Sequence, residues 1–368
     1  MKILELCNFS AGGCGVFARV KREALLLKNL GYEVKIFSSN LEKGTNKIVP
    51  ERDFYQDIEI TRFPAKRLGG ESFMRWNFKK SALEYSPDII ICHSYRHLHT
   101  LSAIKIAKKL NAKIFLVTHA PFARERGIIN NIIVKLFDFL VGKKALKKYD
   151  KIIAITKWEL PYLNELGISN EKIAYIPNGL TNEFFNKARK KEQNQIIFLG
   201  RISPIKDLST IIRSLALLDN KNIKLKIHGP AETQYLQELS SLVASLNLAN
   251  RVAIVNEVYD SKQEIEELDS SKIFILASIS EGMPQVLIEA LSREKLVIAS
   301  NNLGNADIIS NQENGFLFRV GDSDDLASKI DYILSMNKSA LAKIRKNARL
   351  KAEEFAWDKL IKKLTDLF

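Results

Sequence analysis

Cysteine and histidine are scarce in this 368-residue chain, with three Cys, at positions 7, 14 and 92, and five His. An odd number of cysteines without a C-x-x-C spacing excludes a disulfide framework, and so few histidines form no zinc pattern. No run of about 18 uninterrupted apolar residues occurs, which excludes a membrane-spanning helix. The start, MKILELCNFS, enters an apolar strand directly, without the apolar core and small-residue cleavage site of a signal peptide. These absences predict a protein of the reducing cytoplasm. Acidic residues are also in deficit, 42 Asp and Glu against 56 Lys and Arg, for a net charge of +14. The deficit belongs to one half: residues 1–180 carry 30 basic and 17 acidic side chains, residues 181–368 carry 26 and 25. Such a basic balance raises nucleic acid as a partner. Zinc-finger, RRM and KH signatures are nevertheless absent, and aromatics do not interleave with the basic run, so no nucleic-acid partner is expected.

What is present is an alternation of short apolar strands with amphipathic helical stretches. The strands of the first half are Lys2–Cys7, Glu33–Phe37, Ile89–Cys92, Lys113–Thr118, Lys151–Ile155 and Ile173–Ile176. Val16, Phe17, Val20, Ala24, Leu27 and Leu30 recur at helical spacing between the first two, with Gly31 as the cap. The second half repeats the scheme with Ile196–Leu199, Leu225–His228, Val252–Val255, Ile273–Ala277, Val297–Ala299 and Gly315–Phe318. The polar stretch Thr181–Asn194 reads as a linker. The fold class is therefore α/β, with two doubly wound Rossmann-like domains at 1–180 and 181–350. A closing helical segment at 351–368 is placed either on the second domain or back on the first. Strand carboxyl ends facing a central cleft are where such sheets bind ligands.

The densest chemical signal is SISEGMPQVLIE, residues 278–289. A strand ends, a loop carries Glu281 and Gly282, and a helix begins near Pro284, whose missing N–H suits a first turn. The free N–H groups of that turn form an anion site that Gly282 leaves approachable, with Met283 and Gln285 beside it. Glu289 lies roughly 7–8 Å further along the helix axis. Carboxylates on either side of a phosphate-sized site suit a nucleotide-sugar. In FLGRISPIK, Arg201 and Lys206 follow a strand end and can clamp a diphosphate, one as a planar fork and one as a point charge. The loop AGGCG, residues 11–15, opens the first helix and lets a ligand approach the backbone closely, but neither G-x-G-x-x-G nor a Walker loop is present. His119 ends a strand of the first domain and faces the cleft, while His93, His97 and His99 cluster after another strand. A lone histidine is more often structural than chemical, and His228, opening a turn, is read as structural.

Taken in order, Gly12-Gly13, His119, Ile176-Pro177-Asn178-Gly179, Gly200-Arg201 with Lys206, and Glu281-Gly282 with Glu289 resemble the retaining GT-B glycosyltransferases of the family 4 type over essentially the whole chain. The resemblance implies a GT-B architecture and metal-independent transfer from a nucleotide-sugar through an oxocarbenium-like transition state, with no cofactor. On matching positions it implies that Arg201 and Lys206 hold the donor diphosphate, Glu289 the ribose, and Glu281 the sugar hydroxyls. Backbone around Gly282–Gln285 meets sugar and phosphate, the Asn256–Val258 turn meets the base, His119 lies against the sugar, and Gly13 approaches the phosphate. The implied catalytic set is His119, Arg201, Lys206 and Glu281. Two departures stand on supporting loops: Glu294-Lys295-Leu296-Val297 replaces Gly-x-Pro-Val, and Gly304-Asn305 with Asp307 replaces paired Gly and a Glu. The stretch EGMPQVLIEAL looks more like bacterial and archaeal surface-glycan transferases than starch or sucrose enzymes, which favours a UDP-sugar with GDP-mannose next. Hydrolysis or epimerisation of a nucleotide-sugar is the alternative chemistry.

The acceptor side has its own signal. In GIINNIIVKLFDFLV, residues 127–141, apolar pairs recur every four residues. Arg124 and Arg126 precede this helix, and Lys143, Lys144, Lys147 and Lys148 follow. With His93, Arg124 and Arg126 are the acceptor-side candidates. Residues 124–148 are expected to meet a phosphorylated lipid-linked acceptor or an anionic surface at the inner face of the cell membrane.

Overall fold

Apolar runs of a few residues become the strands of two separate sheets. The structure, a computed structural model, describes residues 1–122, 128–187 and 190–368, with the backbone alone for 128–130. It divides into one unit of Met1–Asn178 with Asp358–Phe368, and a second of Gly179–Trp357.

In the first unit the strands are β1 (Lys2–Phe9), β2 (Glu33–Ser39), β3 (Arg52–Tyr55), β4 (Ile58–Phe63), a separate hairpin of β5 (Ala65–Arg67) and β6 (Met74–Trp76), then β7 (Ile89–His93), β8 (Lys113–Val117), β9 (Lys151–Ala154) and β10 (Ile173–Tyr175). The main sheet runs β10-β9-β8-β7-β1-β2-β4-β3, parallel except for β3 at its edge. Its central strands are buried along almost their whole length, as expected when helices cover both faces. Leu4, Leu6, Ile90 and Cys92 share one face of the sheet in a core completed by Trp76 and Tyr149. By strand alternation Glu5 and His93 lie on the other. The helix Gly15–Asn29 ends as expected: Gly31 follows the cap Leu30, and the N–H groups of Gly31 and Tyr32 return to Lys28 and Leu27. Phe368 packs its ring edge-on to Tyr32 at 5.5 Å and parallel to Phe115 at 6.0 Å, so the last residues complete this unit.

β3, β5 and β6 escape a reading by periodicity, because β3 is mostly exposed and β5 and β6 have three residues each. β4 does alternate, with Ile58, Ile60 and Arg62 buried, a period that the sequence reading passes over.

The second unit holds β11 (Gln195–Leu199), β12 (Lys224–His228), β13 (Val252–Val255), β14 (Ile273–Leu276), β15 (Leu296–Ser300) and β16 (Phe316–Phe318). They form an all-parallel sheet in the order β13-β12-β11-β14-β15-β16. Strand order reverses between β11 and β14, the place where such sheets bind ligands. The stretch Thr181–Asn194 is no free linker at its start. Phe184 is buried in the second core, and Arg293, itself paired with Asp269, donates to the Phe184 carbonyl at 3.0 Å. A buried aromatic anchors a segment that composition alone marks as solvent-borne.

Candidate active site

The loops at the strand-order reversal of the second unit carry Arg201, Lys206, Glu281 and Gly282 of the predicted donor residues. Gly200 and Gly229 end β11 and β12 side by side, and a Cβ on Gly229 would strike the Gly200 carbonyl. Arg201 follows, exposed. A short turn, Pro204–Lys206, then places Lys206, and the Ile279 N–H donates to the Ile205 carbonyl at 2.9 Å, seaming the loop after β14 onto this turn. The seam brings Lys206 Nζ to 2.6 Å from Glu281 Oε1, across 75 residues of sequence. Both side chains are largely covered, at 20% and 13% exposure, so the pair is stronger than an ordinary surface ion pair.

Pro284 is the residue before the helix Gln285–Ser292 and not its first turn, and it supplies no side-chain cap to the N–H groups that follow. Gln285 Nε2 donates to the Gly179 carbonyl at 3.1 Å. Gly282 and Met283 are half-buried beside it. Gly304 supports this loop from beneath: a Cβ there would lie 2.6 Å from the Glu281 carbonyl oxygen and 2.8 Å from that of Gly282. Asn305, fully buried, donates to the Ser300 carbonyl at 2.9 Å, and Asn302 donates to that of Ser278 at 2.9 Å. The departure at Gly304-Asn305 is thus an amide brace.

Glu289 shares a hydrogen bond with Glu264, which sits on the helix Ser261–Ser270. Burial, then the charge of Glu264, pushes Glu289 well above the usual carboxylate range, and burial pushes Glu264 up as well. One carboxyl of the pair therefore keeps a proton to donate. Tyr259 lies near both, its hydroxyl pushed up by burial, and its ring meets His228 edge-on at 5.0 Å. Val258 stands 80% exposed at the turn proposed for a base. Glu264 and Tyr259 escape the sequence reading, although an acidic residue on an otherwise amphipathic helix beside a strand end is a weak signal.

In the first unit, Gly13 is exposed in the loop before the helix Gly15–Asn29. His119 follows β8 with φ of +59°, and Ala120 with +51°, both left-handed without being glycine. Two such residues in sequence are a local strain of the kind kept at working sites. His119 Nε2 lies 2.9 Å from His93 Nδ1, and His93 Nε2 lies 2.7 Å from Glu5 Oε2. His93 is wholly buried, which corrects its placement as an acceptor contact: it stands behind His119. Glu5 is also wholly buried, and burial lifts its carboxyl to about 8 against the opposing charge of Arg19. Burial holds His93 down to about 4 and His119 well below the usual histidine range. The contact between Glu5 and His93 is then a neutral hydrogen bond and not an ion pair. The signal for Glu5 was present, since a carboxylate in the middle of KILELC breaks an apolar strand.

Arg124 and Arg126 lie outside the described residues. Beyond them, Ile128–Phe137 is helical and continues through a wider turn, Asp138–Gly142, into Lys143–Leu146. Asp138 is buried and accepts from the Tyr95 hydroxyl at 2.9 Å and from Arg96 at 2.9 and 2.6 Å. Fixed by that contact, the segment leaves Ile132, Ile133, Leu136, Phe139, Leu140 and Val141 exposed, with Lys143, Lys144, Lys147 and Lys148 following in solvent. Among the described residues no helix is long and apolar enough to cross a membrane. Among them, too, no three His, Cys, Asp or Glu side chains are grouped to hold a metal ion.

Known proteins match this arrangement. Residues 14–184 match glycosyltransferase family 4, and residues 181–351 match glycosyl transferases group 1. An uncharacterised glycosyltransferase of Methanocaldococcus jannaschii is 25% identical over 366 residues, 93% of this chain and 91% of its own. The Campylobacter jejuni α-1,4-N-acetyl-D-galactosaminyltransferase, whose name gives a diphospho-undecaprenol-linked glycan, is 28% identical over 192 residues, 51% of each chain. The Anabaena protein HepE, solved with UDP, superimposes with a TM-score of 0.78 at 17% identity, covering 100% of this chain and 99% of that one.

Proposed function

From the premise that this chain belongs to the GT-B glycosyltransferases of the group 1, family 4 type and is a hexosyltransferase, we propose that it is a retaining, metal-independent enzyme. It moves a hexose or N-acetylhexosamine from a nucleotide-sugar, a UDP-sugar before GDP-mannose, to a glycan or lipid-linked acceptor. The observation that carries the reading is the meeting of Lys206 and Glu281 at the strand-order reversal of the second sheet, with exposed Arg201 alongside. A cation for the diphosphate and a carboxylate for the sugar are adjacent there, in the order a nucleotide-sugar presents them. Arg201, Lys206 and the uncapped N–H groups after Pro284 supply fixed positive charge where the leaving diphosphate gains negative charge. That stabilisation needs no reorganisation during the reaction. Glu281 takes the sugar hydroxyls, Glu289 the ribose hydroxyls, and Val258 the base by main-chain contact. His119 lies against the sugar, and Gly13 approaches the phosphate. A neutral His119 suits a sugar ring that gains positive charge, which an imidazolium would oppose.

The UDP of HepE and the lipid-linked glycan of the Campylobacter relative favour a UDP-sugar and a lipid-linked acceptor. The exposed apolar face at 132–141 with the lysines after it favours work at the inner, anionic surface of the cell membrane. A thermal-shift panel of UDP- and GDP-sugars, followed by turnover with the stabilising donor, tests the reading. We expect a UDP-sugar to raise the melting temperature most. Release of free sugar at the same rate with and without acceptor would instead favour hydrolysis.

A further inference from the structure

The buried chain Glu5–His93–His119 has a direction, and its direction depends on one proton. We propose that Glu5 and His93 are positioning residues for His119: through the two hydrogen bonds at 2.7 and 2.9 Å, the Glu5 carboxyl sets which tautomer His119 presents at Nδ1, the nitrogen not engaged by His93. The inference rests on the glycosyltransferase reading for what His119 touches, but the relay itself does not.

The two states follow from donor and acceptor accounting. With Glu5 protonated, its O–H donates to His93 Nε2, His93 Nδ1–H donates to His119 Nε2, and His119 carries its proton on Nδ1 as an outward donor. With Glu5 ionised, His93 Nε2–H donates to the carboxylate and His119 Nε2–H donates to His93 Nδ1. His119 Nδ1 is then a bare acceptor. One proton separates the states, and it leaves at His119 Nδ1 although the charge appears on Glu5. Both imidazoles stay neutral throughout, as burial requires of them.

The surroundings favour the protonated state at neutral pH. One buried guanidinium, Arg19, faces two buried carboxyls, and Glu23 takes the direct bond at 2.8 Å. Glu5 is left with Arg19 as a more distant charge, and burial lifts its carboxyl to about 8. The other titratable groups near the relay are Cys7 on β1, Cys92 on the opposite face of β7, His97 and His99 beyond β7, and Lys43. His119 is partly exposed whereas Glu5 and His93 are wholly buried, so only the outer end of the relay reaches a ligand. An outward N–H is the tautomer that can donate to a sugar hydroxyl, and it is lost as pH rises through about 8.

Imidazole nitrogen NMR of the unsubstituted protein and kinetics of two variants test this. We expect the spectrum to show His93 and His119 exchanging tautomer together near pH 8, without either becoming a cation. Glu5→Ala should lower kcat by about tenfold at unchanged donor KM, the worth of one lost hydrogen bond. Glu5→Gln, whose amide can donate to His93, should recover most of that loss and remove the alkaline fall in kcat. Identical pH profiles for the unsubstituted enzyme and Glu5→Gln, or a His119 tautomer that never changes between about pH 6 and 10, overturns the proposal. The spectrum decides the matter even where a buried Glu5 variant fails to fold. Absence of turnover with every nucleotide-sugar, beside an intact tautomer exchange, would count against the function and not against the relay.

Discussion

At the residue scale the decisive contact is Lys206 with Glu281. Each was legible alone, the lysine from its place after a strand end and the glutamate from its loop before a helix. Their pairing was not, because 75 residues separate them and only the seam between two loops joins them. The contact shapes what substitutions should do. Lys206→Ala removes a diphosphate partner and also strands a covered carboxylate, whereas Arg201→Ala removes an exposed cation. Both should lower kcat/KM by about 10²–10³, several kcal/mol of transition-state stabilisation. Lys206→Ala should in addition lower the melting temperature, and Arg201→Ala should not. Near-normal turnover in both variants would place the diphosphate elsewhere.

At the scale of elements, the loop that carries Glu281 owes its shape to a neighbour on another element. Gly304 opens the helix Leu303–Ala306 and lies where a Cβ would press on two carbonyl oxygens of residues 281 and 282. Gly304→Ala should therefore displace the loop at a cost of about 1–3 kcal/mol, the range for forced overpacking. Thermal unfolding measures the cost, and donor KM reads the displacement. An alanine variant with unchanged donor KM would show that the loop does not need this close approach. β1 teaches the complementary lesson. Its apolar run announced a buried strand, and the same run made Glu5 easy to pass over. Glu5 gains meaning only from His93 on the adjacent strand and Arg19 on the covering helix. β3, β5 and β6 were illegible for a simpler reason: exposed or three-residue strands do not bury enough side chains to print a period on the sequence, unlike β4 between them, which alternates.

At the scale of the whole molecule, the surplus of positive charge belongs to residues 1–180. There it accompanies an exposed apolar face at Ile132–Val141 held in place by the buried Asp138 contact. Apolar area and lysines together are the requirements of an interfacial helix on an anionic surface. Flotation with vesicles should therefore show binding that needs anionic lipid and weakens with salt. Replacing Phe139 and Leu140 by Ser should abolish the binding and leave turnover on a soluble acceptor unchanged. Equal and negligible binding to neutral and anionic vesicles would remove the membrane from the account.

The sequence by itself determined the class of fold, the repetition of the scheme in two halves and the loops that carry chemistry. These follow from local patterns: apolar runs, helical spacing, glycines and prolines at element ends. Only the tertiary structure decided which of those residues act together. It paired Lys206 with Glu281 and Glu264 with Glu289, set Glu5 and His93 behind His119, and drew Phe184 out of a presumed linker into a core. The physical reason is that hydrogen bonds and proton sharing act over about 3 Å. Residues far apart in the chain reach that distance only when strands and loops are packed side by side.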